Sequence, residues 1–386
     1  MAAISASVVL GVWYNRSMSV ENVVTASAPD ARPIVDHLLG DAVRRGASDI
    51  HIEPTANGYE VRLRIDGLLE KISKHDVIVG RSIVTRLMVM AHLLTYRLDI
   101  PQEGRLTTSV AASATELDLR LAIMPTTHGL RAAVRLPAEL IQPRTLEELN
   151  LPTSVMDGLR QFVAAEAGML IVTGPAGSGK TTTIYALLQY IAQHSSGLSI
   201  IALEDPVERN LEGVTQIEVS PFGQLTYERA LRSILRQDPQ VLMLGEIRDA
   251  ATATLALQAA LSGHRLICTF HAVTAGGAIS RLIEMGAEPY QITSAIFGVA
   301  SQRLLRRKEG NGYRGRVPAA EFVRMDPLLR TAVLRRADAA DLQQIYEKQP
   351  GFQHLRESAA DLVTRGLTDN AEVQRALGPD KIPPVE

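Results

Sequence analysis

The run GPAGSGKT at 174–181 constrains the fold of this chain more than anything else in it. It fits the spacing G-x-x-x-x-G-K-[ST] and stands between an apolar strand pattern, MLIVT at 169–173, and a helical one, TTIYALLQYIAQ at 182–193. A glycine-rich loop between a strand end and a helix start attracts a polyanion, because its backbone N–H groups and the helix N-terminus act together. Gly174, Gly177 and Gly179 let the backbone wrap with those groups inward. Lys180 brings a point charge to the β- and γ-phosphates, and the Thr181 hydroxyl is placed to ligate Mg²⁺. The cradle therefore comprises Gly174, Pro175, Ala176, Gly177, Ser178, Gly179, Lys180, Thr181 and Thr182, and it implies a nucleoside triphosphate.

Around this loop apolar strands alternate with helices. Strand patterns recur at 198–204, 240–246 and 264–270, with a helix at 252–262 closed by Gly263. That alternation predicts an α/β domain whose parallel-rich sheet is covered on both faces. Parallel sheets gather ligands at the carboxyl ends of their strands, and two of those ends are acidic. Glu204 and Asp205 close one, with Pro206 behind them, and Glu246 closes the other. Hydrolysis needs a carboxylate to orient or deprotonate water while Mg²⁺ is held, directly or through water. Thr181, Glu204 and Glu246 are thus the candidate Mg²⁺ ligands, and Glu204 and Glu246 the candidate catalytic acids. A common hydrolase pattern sets an Asp before the second of these; Gly245 stands there, which leaves the division of labour open. Cys268, inside an apolar strand, reads as a small core hydrophobe.

Ahead of the loop the pattern changes. Residues 1–30 carry no sustained period and read as a weakly ordered lead. From Pro33, apolar residues recur at helical spacing until Gly46. Val61, Leu63 and Ile65 then alternate with Arg62, Arg64 and Asp66, and Leu117, Leu119, Leu121 and Ile123 alternate with Asp118 and Arg120. Ala132, Val134 and Leu136 set Arg135 on the opposite face. Residues 31–140 are expected to form a small α+β domain whose polar sheet face presents arginines together. The proline-flanked run at 143–152 suggests a linker over 141–152, followed by the nucleotide-binding domain at 153–386. Beyond about residue 320 the tail is expected to be helical and charged.

Composition excludes several classes. Forty Lys and Arg against 42 Asp and Glu leave a net charge of −2, and aromatics make up 4%, so neither a global field nor a stacking surface favours nucleic acid. A single cysteine precludes an intrachain disulfide or a cysteine-based zinc site and fits a reducing compartment. The longest apolar stretch, 2–14, falls short of the roughly 20 residues a spanning helix needs. The first basic residue, Arg16, follows that stretch instead of preceding it, unlike a secretory signal.

Taken in order, SDIHIEP, RLRIDGLL, GPAGSGKTTTIYA, LEDPVE, LRSILRQDPQVLMLGEIRD, SGHRLICTFHA, GAISRLIEMG and GYRGR resemble the secretion ATPase family that powers type II secretion and type IV pilus assembly. The likeness runs from about Ala47 to Gly378. It implies a RecA-like P-loop ATPase domain preceded by a smaller α+β (PAS-like) domain, ATP with Mg²⁺, and a homo-hexamer. The resemblance assigns 174–181 to the Walker A loop, Glu204 to the aspartate box, Glu246 to Walker B, and His264 and His271 to the histidine box. His271 would sense γ-phosphate or bridge to water, and Arg120 and Arg135 would reach the phosphates from the small domain. Arg232 and Arg236 fall in the family's LRxxLRQDP stretch.

The same resemblance implies a cytoplasmic protein peripheral to the inner membrane, with a polytopic platform protein and a cytoplasmic recruiting protein as partners and no nucleic acid. LLRRKEGNGYRGR lacks the four-cysteine insert of many assembly-type members, so no structural zinc is expected. The extra N-terminal domain of those members is reduced to about thirty residues, and FHA replaces the commoner LHT around His271. GYRGRVPAAEF and the run at 351–377 follow the assembly pattern and not the retraction one. The alternative is a nucleic-acid translocase or conjugation-type secretion ATPase on the same scaffold.

Overall fold

A computed structural model describes residues 30–109, 116–137, 145–195, 197–219 and 225–379; most of the expected N-terminal lead lies outside them. The first unit runs α1 (Arg32–Arg44), β1 (Ala47–Thr55), β2 (Gly58–Ile65), β3 (Leu68–His75), α2 (Val77–Met90), β4 (Gln102–Ser109), β5 (Glu116–Thr126) and β6 (Gly129–Arg135). Its strands pair in the order β3-β2-β1-β6-β5-β4, antiparallel throughout. The apolar members of each alternating strand point into one core. Ile50, Ile52, Val61, Leu63, Leu119, Leu121 and Val134 pack there against α1 and α2. Pro33 starts α1, and Gly46 at φ 65° lets the chain turn into β1. The Asp76 side chain caps α2 by accepting from Val79 N at 2.8 Å.

Registration then stacks charge on the opposite face. Arg105 of β4 lies across from Arg120 of β5, Arg120 from Arg135 of β6, Arg135 from Asp49 of β1, and Asp49 from Arg64 of β2. Like charges directly opposite each other repel. Three adjacent arginines are therefore a costly arrangement unless an anion faces them.

The second unit continues with α3 (Thr153–Ala164), β7 (Gly168–Thr173), α4 (Lys180–His194), β8 (Ile200–Glu204), β9 (Thr215–Glu218), α5 (Tyr227–Ile234), β10 (Val241–Leu244), α6 (Ala250–Leu261) and β11 (Arg265–Phe270). There follow α7 (Ala275–Glu284), α8 (Pro289–Ala295), β12 (Ile296–Glu309), β13 (Gly312–Arg324), α9 (Pro327–Leu334), α10 (Ala339–Tyr346), α11 (Leu355–Thr364) and α12 (Asn370–Leu377). The sheet order is β13-β12-β7-β11-β10-β8-β9, parallel except for β13 against β12. Strand β7 is buried along its whole length. Met169 and Ile171 pack into one core, Leu170 and Val172 into the other, which is why its sequence is continuously apolar. Cys268 is buried as expected.

The stretch expected as a linker places Leu146, Leu149 and Leu151 in the core on the α4 side of the sheet, with a 3-10 turn at Glu147–Leu149; its first residues, 141–144, lie outside the described ones. The tail expected to be helical from about residue 320 is instead strand as far as Arg324, and its helices begin at Pro327. Strand β12 hid from the sequence for a physical reason. Its first half is buried on both faces and its last residues are charged, so no period of two appears.

Among the described residues polar contacts join the units at two places, one near each end of the charged row. Arg105 Nη2 donates to Glu218 Oε1 on β9 at 3.1 Å. Asp66, in the β2–β3 turn, accepts from Gly315 N at 2.8 Å and faces Arg316 Nε at 3.7 Å, both on β13. Strands β9 and β13 are the two edges of the larger sheet. The small sheet thus meets the larger one at both of its edges, through Arg105 and Asp66.

Candidate active site

The 174–181 loop runs from the end of β7 into α4, with Gly174, Gly177 and Gly179 at φ 149°, 74° and 87°. A Cβ at Gly174 would stand 2.5 Å from both Gln302 O and Ser178 Oγ, so no side chain fits there. Lys180 Nζ donates to Gly174 O and Pro175 O at 2.9 and 3.0 Å. Burial pushes the Lys180 ammonium pKa down, the nearby Glu246 carboxylate pulls it up, and Arg303 adds to the lowering. Ser178 Oγ is buried without a hydrogen-bond partner. Thr181 and Thr182 sit half-buried in the first turn of α4. An orphaned hydroxyl, a buried cation and a glycine at 174 whose place admits no Cβ all fit a phosphate chain. Thr173 Oγ1 lies 2.8 Å from Ala272 O and accepts from Ala272 N at 3.1 Å, which fixes the segment carrying His271 beside the loop.

The two acidic strand ends differ sharply. Glu246, just past β10, pairs with Arg248 Nε at 2.8 Å through Oε2 and with His271 Nε2 at 3.1 Å through Oε1. Arg248 also reaches Asp205 Oδ2 at 3.5 Å. The ends of β8, β10 and β11 therefore bring Asp205, Glu246 and His271 together near Lys180. Glu204 is 2% exposed, and both of its oxygens are taken. Tyr185 OH, from α4, donates to Oε2, and Gln216 Nε2 donates to Oε1 at 2.9 Å. Burial raises the Glu204 carboxyl, and those two hydrogen bonds pull it down. Through Gln216 and Tyr185, Glu204 also organises the loop after β8: Tyr185 OH accepts from Glu208 N at 3.1 Å and Gln216 Oε1 from Leu211 N at 2.7 Å.

Gly245 has a steric explanation. A Cβ there would stand 2.8 Å from Tyr227 OH, so the phenol occupies the place an Asp would need. Gly245→Ala is expected to cost about 1–3 kcal/mol of stability, part of it recovered when Tyr227→Phe is added. Thermal melts of both variants check this, and unchanged melting of Gly245→Ala would count against it.

Arg120 and Arg135 face the loop after β8. The surrounding protein raises the Glu208 carboxyl above its ordinary range, and Arg135, then Arg120, pull it back. Arg135 is 75% exposed, and its Nε lies 3.3 Å from Asp49 Oδ1. Arg232 is 59% exposed and pairs with Glu228 at 2.8 Å on its own helix, and Arg236 lies exposed in the turn after α5. Among the described residues neither has an ion pair or hydrogen bond with the cradle. His264 lies at the far end of six-residue β11 from His271, its Nδ1 on Ala259 O at 2.9 Å, and closes α6. Sequence reasoning missed Arg105, Tyr185, Gln216 and Gln302. A polar Gln inside the otherwise buried stretch of β12 was the one available signal.

A P-loop, a carboxylate at the adjoining strand end and a parallel sheet define a nucleotide-hydrolysing P-loop protein. The chain belongs to the family described as Type II/IV secretion system protein, whose signature matches residues 25–375. It is 35% identical over 381 residues to the type II secretion system ATPase E of Vibrio cholerae, covering 89% of this chain and 74% of that one. Identity is 36% over 369 residues with the type II secretion system protein HxcR of Pseudomonas aeruginosa, covering 90% and 78%. With the type IV pilus assembly ATPase PilB of Thermus thermophilus it is 34% over 382 residues, covering 89% of this chain and 42% of that protein. Among solved structures, the pilus retraction motor PilT with bound ADP aligns at TM-score 0.63 and 27% identity, over 90% of this chain and 97% of that one. The Legionella pneumophila ATPase DotB aligns at TM-score 0.70 and 20% identity, over 89% and 95%, a likeness of fold. The expected fold class, a P-loop ATPase domain behind a smaller α+β domain, is the one found, and the chain is a secretion ATPase.

Proposed function

We propose that this chain is the ATP-hydrolysing motor of a type II secretion or type IV pilus assembly system, working as a homo-hexamer on the cytoplasmic side of the inner membrane. The observation that carries the proposal is the arginine row of a small sheet that is fastened to both edges of the P-loop sheet, by Arg105 at one and Asp66 at the other. Lys180 and the loop amides hold the phosphates from one side. Arg120 and Arg135 meet the γ-phosphate from the other unit, so the position of the small sheet depends on whether that phosphate is present. Glu246 orients the attacking water and takes its proton, with His271 sharing that hydrogen-bonded network. Glu204, engaged on both oxygens, braces the loop after β8.

Thr181 and Glu246 would hold Mg²⁺, which would supply positive charge to offset the phosphate oxygens. Arg232 and Arg236, displayed outward beside α5, complete the site of an adjoining subunit. No helix among the described residues is long and apolar enough to cross a membrane. The motor then docks through a polytopic platform protein and a cytoplasmic recruiting protein.

Arg135→Ala tests the carrying observation. Its turnover number is expected to fall about 100-fold with the melting temperature unchanged, since Arg135 is largely exposed. ATPase activity within a few-fold of wild type would remove the small sheet from the mechanism. Light scattering with and without a non-hydrolysable nucleotide tests the ring, and a monomer under both conditions would overturn it.

A further inference from the structure

Gln302 lies on β12 one residue beyond the Ser301–Thr173 pair that joins this strand to β7. It is 2% exposed, and both ends of its amide are used. Nε2 donates to Ser178 O at 2.7 Å, and Oε1 accepts from Thr183 Oγ1 of α4 at 3.0 Å. Two partners of opposite kind leave one orientation for the amide. The residue also packs against both glycines that bound the cradle. Its carbonyl oxygen stands 2.5 Å from where a Cβ of Gly174 would be, and its Nε2 stands 3.1 Å from where a Cβ of Gly179 would be.

A trans peptide points its C=O and N–H in opposite directions. Drawing the Ser178 carbonyl toward Gln302 turns the Gly179 N–H away from Gln302, to the side where the loop amides collect phosphate. We infer that Gln302 is a positioning residue for the phosphate cradle: it sets the orientation of the Ser178–Gly179 peptide, and Thr183 acts through it. This rests on 174–181 being the triphosphate cradle. Gln302 touches no phosphate itself and works through the backbone donor it aims. Freed from it, the Ser178 carbonyl is no longer held out of the pocket, where its partial negative charge would oppose the ligand.

The test uses the full chain and Mg-ADP in titration calorimetry, with ATPase kinetics alongside. Gln302→Met, which keeps the volume and removes the amide, is expected to bind ADP about tenfold more weakly, the size of one lost buried hydrogen bond. KM for ATP should rise by a similar factor while kcat stays within about threefold, a split that general loosening of the fold would not give. Thr183→Val should weaken ADP about threefold, and the double variant should match Gln302→Met instead of multiplying the two losses. A folded Gln302→Met that binds ADP within about twofold of wild type, or losses that multiply, would overturn the inference. If Gln302→Met does not fold, Thr183→Val decides, an unchanged affinity counting against it. Lys180→Ala runs in parallel: wild-type ADP affinity in that variant would sink the cradle itself, an outcome separate from failure of Gln302.

Discussion

Lys180→Ala gives a folded chain with ATP turnover reduced at least about 1,000-fold, because a compact, buried cation at the phosphate loop has no substitute. Without ligand, the Lys180 ammonium rests on the carbonyls of Gly174 and Pro175, at 2.9 and 3.0 Å, with its alkyl stem buried. Those partners are weak exchanges for water, and burial lowers the pKa of the group. The sign for stability follows. A lysine whose folded pKa is lowered binds protons less readily folded than unfolded, so it costs stability wherever the unfolded chain keeps it charged. Removing it therefore leaves the melting temperature unchanged or raised at neutral pH while activity disappears. Phosphate release and a thermal melt on one preparation check both halves. Substantial turnover, or loss of activity explained by unfolding, would refute the role.

Glu246→Gln abolishes turnover by a different route and leaves nucleotide binding in place. The carboxylate joins Arg248 at 2.8 Å and His271 at 3.1 Å, and an amide of the same shape supplies no base and only half the acceptors. A fall in kcat of about 1,000-fold is expected, within the range for losing a general base. Calorimetry with ATP on the variant should show affinity within a few-fold of wild type. Near-wild-type hydrolysis would move the base elsewhere, with Asp205, held to the same Arg248, as the next acid to replace. Glu204→Gln makes the control. Its carboxyl is walled in by Tyr185 and Gln216, so its substitution should act on the order of the loop after β8 more than on proton transfer.

Much of this site is legible in the sequence because its chemistry is local. Nine consecutive residues build the cradle, and strand alternation alone puts Arg120 and Arg135 on a shared polar face. Their stacking is less legible. Which arginine sits opposite which depends on strand register, fixed by hairpin geometry, and Arg105 comes from a strand, QEGRLTTS, whose burial alternates but whose sequence, with Leu106 its only large apolar residue, does not show it. The burial of Glu204 was hidden because its partners, Tyr185 and Gln216, stand 19 and 12 residues away and meet it only when α4 and β9 pack against β8. Gln302 is further out of reach, 124 residues beyond the carbonyl it holds. Strand β12, which delivers it, has no period in its buried half.

Strand β12 has a mechanical consequence. It props the nucleotide pocket with Gln302, and the hairpin it forms with β13 grips the β2–β3 turn through Asp66. Between the two points runs the stretch from Gln302 to Arg306, the partner of Arg316, roughly 13 Å of nearly inextensible backbone. The peptide at Ser178 and the turn at Asp66 are thus tied to a single hairpin, so the pocket and the small sheet share one support.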